Sequence, residues 1–169
     1  MGDLHGIWPH RWITPKAKSS GSYVDGLGLI AIKGIQKGEP VGVLGGIIVP
    51  KKEIVQYWKK MGHVGIQVDD DFFIVPTTRK ELEQTGVFNH SCSPNCGFSN
   101  SITIVAIKNI EKGKELTFDY AFCESFMKGF KCNCGSAKCR NTITPTDWKN
   151  PGLQKKYGSY YSPYLKSKF

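Results

Sequence analysis

A short cysteine run near the C-terminus constrains this chain more than any other feature of its sequence. Cys132, Cys134 and Cys139 form the pattern Cys-x-Cys-x4-Cys. Three thiols at this spacing cannot all pair as disulfides, whereas three thiolates can bind one Zn²⁺ ion at about 2.3 Å each. A tetrahedral site needs a fourth ligand, for which the candidates are Cys92, Cys96 and Cys123. The pattern therefore predicts a structural zinc site that ties a distant loop to the C-terminal region.

Length and composition predict one domain with a small appendage and a hydrophobic core. The chain has 169 residues, of which 40% are hydrophobic and 12% aromatic. No apolar run approaches the ~20 residues of a membrane span, and the first residues lack the basic and apolar regions of a signal peptide. We therefore expect an intracellular protein with no membrane partner, nuclear in a eukaryote and cytoplasmic in a bacterium. A secreted, disulfide-rich protein is the alternative that an even number of cysteines raises.

The charge of the chain is strongly positive. There are 23 basic and 14 acidic residues, which give a formal net charge of +9. Such a charge is compatible with an ordinary basic protein, or with a partner that is nucleic acid or is bound to it. The basic residues are scattered lysines rather than an arginine-rich helix. Any contact with nucleic acid is therefore expected to be indirect.

Glycines and β-branched residues favour short strands over helices in most of the chain. Residues 1–22 are predicted to be irregular, and the tail from residue 141 to be an extended wrap. The predicted strands are Leu27–Lys33, Val41–Val49, Val64–Val68, Phe72–Val75, Ile102–Ile107 and Glu115–Phe118. Two helices are predicted, one that begins at Pro50 and ends at Lys60, and one that follows a capping box of Thr78 and Glu81.

Three segments, taken in order, closely resemble the SET-domain protein-lysine N-methyltransferases. They are Gly26-Leu27-Gly28-Leu29-Ile30-Ala31, Asn89-His90-Ser91-Cys92-Ser93-Pro94-Asn95 and Glu115-Leu116-Thr117-Phe118-Asp119-Tyr120. The cysteine run resembles the post-SET zinc motif of many members. The resemblance implies a mostly-β fold of short curved sheets, with a knot-like segment in which Asn89–Asn95 lies beside Phe118–Tyr120, and a small zinc knuckle. It divides the chain into an N-terminal flank (1–20), a SET domain (21–122), a post-SET motif (123–141) and an aromatic tail (142–169).

The resemblance also implies an activity, which is transfer of a methyl group from S-adenosylmethionine to a lysine ε-amine of a histone or another basic protein. Tyr120 is then the catalytic residue, and its hydroxyl is placed near the sulfonium or the amine. The residues expected to bind the cofactor are Gly26, Leu27, Gly28, Asn89, His90 and Tyr120. By the same resemblance Cys92 is the fourth zinc ligand, with Cys132, Cys134 and Cys139, whereas Cys96 and Cys123 are spare thiols.

The lysine channel is expected to contain Phe98, Phe118 and Leu44. In the family, phenylalanine in the channel leaves room for further methyl groups, so di- or trimethylation is expected. Leu44 is a departure, because the family often carries a channel tyrosine there. A catalytically weak, zinc-stabilised module that binds peptide or nucleic acid is therefore the alternative. A local acidic groove that attracts a basic substrate is expected from residues 69–71 or from Glu81 and Glu83. His63 is interpreted as a surface or structural residue. Phe130 and Trp148 are candidates to cover the cofactor or the lysine channel, and the sequence does not assign an oligomeric state.

Overall fold

The computed structural model describes residues 8–169, so part of the predicted N-terminal flank, residues 1–7, lies outside the described residues. The strands are β1 (Trp12–Ile13), β2 (Ala17–Gly21), β3 (Leu27–Ala31), β4 (Pro40–Val43), β5 (Ile47–Pro50), β6 (Ile66–Gln67), β7 (Phe72–Val75), β8 (Asn89–His90), β9 (Cys96–Phe98), β10 (Thr103–Ala106), β11 (Thr117–Phe118), β12 (Phe130–Lys131) and β13 (Thr142–Ile143). The α-helices are α1 (Lys51–Met61), α2 (Arg79–Thr85), α3 (Pro151–Tyr157) and α4 (Pro163–Lys166). Short 3-10 helices lie at Tyr120–Phe122, Asp147–Lys149 and Gly158–Tyr160.

The strands of the described region form small sheets, which confirms the predicted mostly-β fold. One sheet has four strands in the order β1-β4-β10-β9, and a second has three in the order β5-β7-β6. Two-stranded sheets are formed by β2 with β3, β8 with β11, and β12 with β13. No helix in this part of the chain is long and apolar enough to cross a membrane.

The threaded arrangement rests on the pairing of β8 with β11, which is parallel although the two strands are far apart in sequence. Thr117 lies opposite Asn89, and Phe118 lies opposite His90. The side chain of Asn95 reinforces this pairing, because its Nδ2 donates to the Glu115 carbonyl at 2.7 Å and its Oδ1 accepts from the Thr117 amide at 2.8 Å. The segment predicted to carry the site is therefore held on both sides by backbone groups.

Two predictions of local structure are wrong. The stretch predicted as one strand, Val41–Val49, is divided into β4 and β5, which belong to different sheets. The division falls at Gly46, whose φ of 140° is rarely adopted by other residues and whose missing side chain makes room for the Val75 carbonyl. The region predicted to be irregular, 1–22, contains β1 and β2, and β2 pairs along its whole length with β3.

The tail is helical rather than extended, which corrects a third prediction. The Asn150 side chain caps α3 by accepting from the amides of Gly152 and Leu153, and the Ser162 side chain caps α4. Helices of seven and four residues are too short to produce a clear 3.6-residue hydrophobic period. Three buried side chains of the tail, Tyr157 of α3, Leu165 of α4 and Tyr161 between the helices, belong to the main core together with Phe98 and Phe122.

This packing predicts that the tail contributes to the stability of the whole domain. Leu165→Ala is expected to lower the free energy of unfolding by about 2–5 kcal/mol, because Leu165 is fully buried and its removal leaves a cavity in the main core. The measurement is urea denaturation at equilibrium. Leu153→Ala, at a partly exposed position of α3, is the matched control and should cost less. Equal losses in the two variants would contradict the prediction.

Candidate active site and metal centre

Two cavities of very different size meet at Tyr120. The wide cavity has a volume of about 650 Å³, within the range of small-molecule binding sites. The narrow cavity, termed the narrow channel, has a volume of about 50 Å³. The residues that line both cavities are His63, Val64, Val87 and Tyr120. A ligand in the wide cavity and a side chain in the narrow one would therefore approach each other beside Tyr120.

The wide cavity gathers most of the residues predicted to bind a cofactor. Gly26, Leu27, Asn89, His90 and Tyr120 all contribute to its wall, although they come from three separate segments. Gly26 has a φ of 52°, which lets the chain turn at the cavity without the strain that another residue would bear. Phe130, proposed as a covering residue, also lines this cavity, with its ring 6.0 Å from those of His90 and Tyr120. Trp148 packs instead against the main core.

The Asn89 side chain fixes the loop that forms part of the wall of this cavity. Its Nδ2 lies within 3.1 Å of four oxygens: Ser22 Oγ, the carbonyls of Asp25 and Leu27, and Glu115 Oε1. Glu115 is buried and also accepts from the Tyr23 amide at 2.8 Å. The amide of Asn89 therefore shapes the loop that a cofactor would contact.

Gly28 does not line either cavity, although it belongs to the predicted cofactor set. A Cβ at this position would lie 2.5 Å from Glu115 Oε1 and 3.0 Å from the Ser22 Cβ. The missing side chain thus makes room for the buried Glu115 carboxylate. Gly28 acts on the cavity through the loop that Glu115 and Asn89 hold in place.

His90 links the cavity wall to the cysteine cluster. Its Nδ1 accepts from the Tyr120 amide at 3.2 Å, so Nε2 carries the proton and donates to Cys92 Sγ at 3.3 Å. Burial lowers the pKa of His90 to about 4, so the ring is neutral at pH 7. A neutral imidazole in this tautomer orients the sulfur of Cys92 and the backbone of Tyr120 together.

Tyr120 keeps its hydroxyl proton at neutral pH. Burial raises its pKa well above the usual value, and the nearby carboxylate of Glu124 raises it further. The hydroxyl lies 3.5 Å from the Phe88 carbonyl, which is a weak contact. The hydroxyl is therefore suited to form a hydrogen bond with a ligand and not to act as a base.

The narrow channel is mostly apolar. Leu44 and Phe118, both predicted for the lysine channel, line it together with Phe88. Phe98, also predicted there, lies one layer further into the core, fully buried and T-shaped against Phe118 with ring centroids 5.6 Å apart. Phe118 therefore forms part of the channel wall, and Phe98 packs against Phe118 from the core.

Sequence reasoning missed Arg11 among the polar residues of the channel, and it also missed His63 and Glu124. The His63 ring is stacked on Trp58 with centroids 4.0 Å apart, and its Nε2 lies 2.9 Å from Glu124 Oε2. Neither residue belongs to a recognisable motif. The nearest hint in the sequence is that Glu124 follows Tyr120 by four residues.

The four cysteines assigned to zinc come together, and the two spare cysteines lie elsewhere. The Sγ atoms of Cys92, Cys132, Cys134 and Cys139 all lie within 4.8 Å of one another. The sulfurs of Cys92 and Cys132 are 3.9 Å apart, close to the edge of about 3.8 Å in a tetrahedron with 2.3 Å bonds. Backbone amides also face the cluster, since Arg140 N–H donates to Cys92 Sγ and Asn141 N–H to Cys139 Sγ, each at 3.3 Å. The residues fit a closed, structural zinc site.

Arg140 connects this cluster to the residue before Tyr120. Its guanidinium donates to both oxygens of the fully buried Asp119, at 2.6 and 2.8 Å. Asp119 Oδ1 in turn accepts from the Ala121 amide at 3.0 Å, which caps the 3-10 helix that begins at Tyr120. A metal bound by the cysteines would therefore stabilise the backbone that positions Tyr120.

Comparison with known proteins agrees with this geometry. A family model described as the SET domain matches residues 26–121. Histone-lysine N-methyltransferase 2B of Homo sapiens is 35% identical over 136 residues, which are 72% of this chain and 5% of that protein. Histone-lysine N-methyltransferase trithorax of Drosophila virilis is 32% identical over 134 residues, 72% of this chain and 3% of the relative.

A yeast relative gives the same result. The protein named histone-lysine N-methyltransferase, H3 lysine-4 specific, of Schizosaccharomyces pombe is 31% identical over 135 residues. The match covers 72% of this chain and 14% of that protein. The chain thus spans only a small part of the length of the curated relatives it matches.

The cysteine cluster predicts one tightly bound Zn²⁺ per chain. Cys132→Ser is expected to abolish zinc binding and to unfold the segment after residue 123, because structural zinc sites lose their folding energy with the metal. Zinc content by atomic absorption, with thermal melts before and after chelation, measures both effects.

Cys96→Ser is the matched control for this experiment. Cys96 is fully buried outside the cluster, and its Sγ donates to Asn95 Oδ1, a hydrogen bond that serine can keep. The control should retain one zinc. A wild-type protein without stoichiometric zinc, or a Cys132→Ser variant that retains it, would refute the assignment.

Proposed function

The chain belongs to the SET-domain family, and from that premise we propose that it is a protein-lysine N-methyltransferase dependent on S-adenosylmethionine. The observation that carries the proposal is the meeting of a wide and a narrow cavity at Tyr120. The wide cavity has room for a nucleoside cofactor, and the narrow one is proposed to hold the target lysine side chain. When bound, S-adenosylmethionine supplies an electrophilic methyl group on a sulfonium.

The residues of the channel prepare the lysine for attack. A free lysine has a pKa near 10.4 and arrives protonated. An apolar channel disfavours the ammonium ion and so lowers that pKa. The protonated hydroxyl of Tyr120 then forms a hydrogen bond beside the reacting atoms and fixes the line of approach, from which an in-line displacement gains much of its rate.

The metal in this proposal is structural. Cys92, Cys132, Cys134 and Cys139 would hold one Zn²⁺, and because the protein supplies four thiolate ligands, no position would be open for catalysis. The segment 123–141 is proposed as a post-SET motif that follows the SET domain. Its role is to fix Phe130 and the turn at Asp119 against the wide cavity.

The proposed substrate is a lysine of a histone or of another basic protein. The relatives whose names contain histone-lysine N-methyltransferase support the choice of histones, and in a eukaryote the protein would then act in the nucleus. The overall charge of +9 does not favour a basic partner, so attraction must be local. Of the acidic residues sought for this purpose, Asp70 is already paired with Lys168 at 2.8 Å. The positive surface can instead approach nucleic acid that carries the substrate.

Phe118 supports a product with more than one methyl group. It lines the channel, is buried, and offers no hydroxyl to hold a water beside the amine. We therefore propose di- or trimethylation. Leu44, which lines the same channel, lacks the hydroxyl that many members of the family place there. This observation favours the alternative, a catalytically weak module that binds peptide or nucleic acid.

The activity is tested by transfer of labelled methyl from S-adenosylmethionine to core histones and histone H3 peptides. Tyr120→Phe is expected to lower kcat by about 10²-fold or more, because it removes a hydrogen bond at the reacting centre. Tyr160→Phe, a partly exposed tyrosine of the tail, is the control and should keep wild-type activity. If calorimetry shows that the cofactor binds but no lysine is methylated, the binding module is favoured. If the cofactor does not bind and no lysine is methylated, the proposal is contradicted.

The product state is tested with Phe118→Tyr. The channel has a volume of only about 50 Å³, and the added hydroxyl reduces the space for further methyl groups. The variant is therefore expected to stop at monomethyl-lysine. Mass spectrometry of the modified peptide over a full time course measures the distribution. A wild-type enzyme that itself stops at one methyl group would contradict the assignment of di- or trimethylation.

A further inference from the structure

A buried carboxylate and a histidine form a hydrogen-bonded pair where the two cavities meet. The side chain of Glu124 is only 5% exposed, whereas that of His63 is 36% exposed. Glu124 lines the narrow channel, and His63 lines both the narrow channel and the wide cavity. The pair therefore runs from the wall of the channel to a surface that solvent reaches.

One oxygen of Glu124 is left available. Oε2 pairs with His63 Nε2 at 2.9 Å, while Oε1 has no hydrogen-bond partner among residues 8–169. Oε1 is not one of the fully buried unpaired atoms of the described residues, so this oxygen is open to the channel that Glu124 lines. A carboxylate oxygen that faces a mostly apolar channel attracts a cation, and with a lysine side chain in the channel that cation is the ε-ammonium.

The reaction needs a route for one proton in each turnover. A lysine ammonium and the sulfonium carry two positive charges, whereas the products are a methylated ammonium and a neutral thioether. One proton must therefore leave the amine before the nitrogen attacks the methyl carbon and the carbon–sulfur bond breaks. Tyr120 cannot take this proton, because it remains protonated at neutral pH.

We infer that Glu124 binds the ε-ammonium of the target lysine through Oε1 and takes one proton from it, and that His63, paired with Oε2, passes this proton from the carboxylate to solvent. The pair thereby supplies the polar contact that the channel lacks at Leu44. This inference rests on the proposed lysine methyltransferase activity. Trp58 positions His63 for the role, since the two rings are stacked.

Other titratable groups line the same cavities as this pair and can also affect how activity depends on pH. The narrow channel is also lined by Arg11, Tyr120 and Cys123, and the wide cavity by Asp25, His90 and Lys128. Burial and the charge of Glu124 raise the pKa values of both Tyr120 and Cys123, so these two stay neutral near pH 7. Burial lowers the pKa of His90 to about 4, which keeps this ring neutral in the same range. Tyr120, Cys123 and His90 therefore do not take up the proton near pH 7.

The first test is Glu124→Gln in the full chain with zinc bound, assayed with a histone H3 peptide that wild type methylates. Loss of a charge-assisted hydrogen bond should raise KM for the peptide about ten- to a hundredfold and lower kcat, while the Kd for S-adenosylmethionine stays at the wild-type value. Glu111→Gln, on the exposed turn before β11, is the matched control and should leave KM unchanged. A KM equal to that of wild type would overturn the inference and leave the proposed activity intact.

The second test is His63→Phe, which keeps an aromatic ring against Trp58 and removes the nitrogen that carries the proton. We expect kcat to fall while KM for the peptide changes by less than about twofold, because Glu124, and not His63, binds the ammonium. The profile of kcat against pH should also differ between the wild-type protein and the variant, because the variant lacks one group of the proton route. An unchanged kcat and profile would overturn the role of His63.

Two further results separate the possible failures. If Glu124→Gln does not fold by circular dichroism, Glu124→Asp retains the charge with a shorter reach, and a wild-type KM in that variant would overturn the inference. If the wild-type protein binds S-adenosylmethionine but methylates no lysine, the proposed function fails and the inference fails with it.

Discussion

The parallel pairing of Asn89–His90 with Thr117–Phe118 is the constraint on which the rest of the site depends. It brings together two segments that are far apart in sequence, and each contributes residues that neither could position alone. From the first come the wall of the wide cavity and Cys92, and from the second comes Tyr120. Because the Asn95 side chain also bonds to the backbone of the second segment, a shift of register would cost several hydrogen bonds at once.

Buried polar side chains around this pairing are hydrogen-bonded to one another and hold the surrounding loops in place. Asn89 and Glu115 hold the loop at the wide cavity, and Asp119 is held by Arg140. Removing one partner of such a buried pair leaves an uncompensated charge, which is far more destabilising than the pair is stabilising. The cysteine cluster belongs to the same network, since Arg140 also donates to Cys92. Metal binding and the position of Tyr120 are therefore coupled through one arginine.

Much of the site could be predicted because the family motifs are short and continuous. The segments that contain Gly26, Asn89 and Tyr120 all contribute to one cavity, and the four cysteines assigned to zinc lie within reach of one metal. Gly28 and Phe98 show the limit of this reasoning, since neither lines a cavity. A motif shows that a residue type is needed at a position, but not why. Gly28 is needed because it leaves space for Glu115, and Phe98 because it supports Phe118, and both reasons depend on neighbours that only the fold supplies.

The sequence by itself determined the fold class, the family motifs and the run of three closely spaced cysteines, because strand patterns and cysteine spacings are local properties of the chain. Only the tertiary structure decided that His63 and Glu124, 61 residues apart, form a pair in the wall of the narrow channel. It also decided that the tail folds into short helices whose tyrosines complete the core. Contacts between distant residues leave no periodicity in the sequence, and helices of one or two turns form chiefly because their apolar side chains are buried by the rest of the domain.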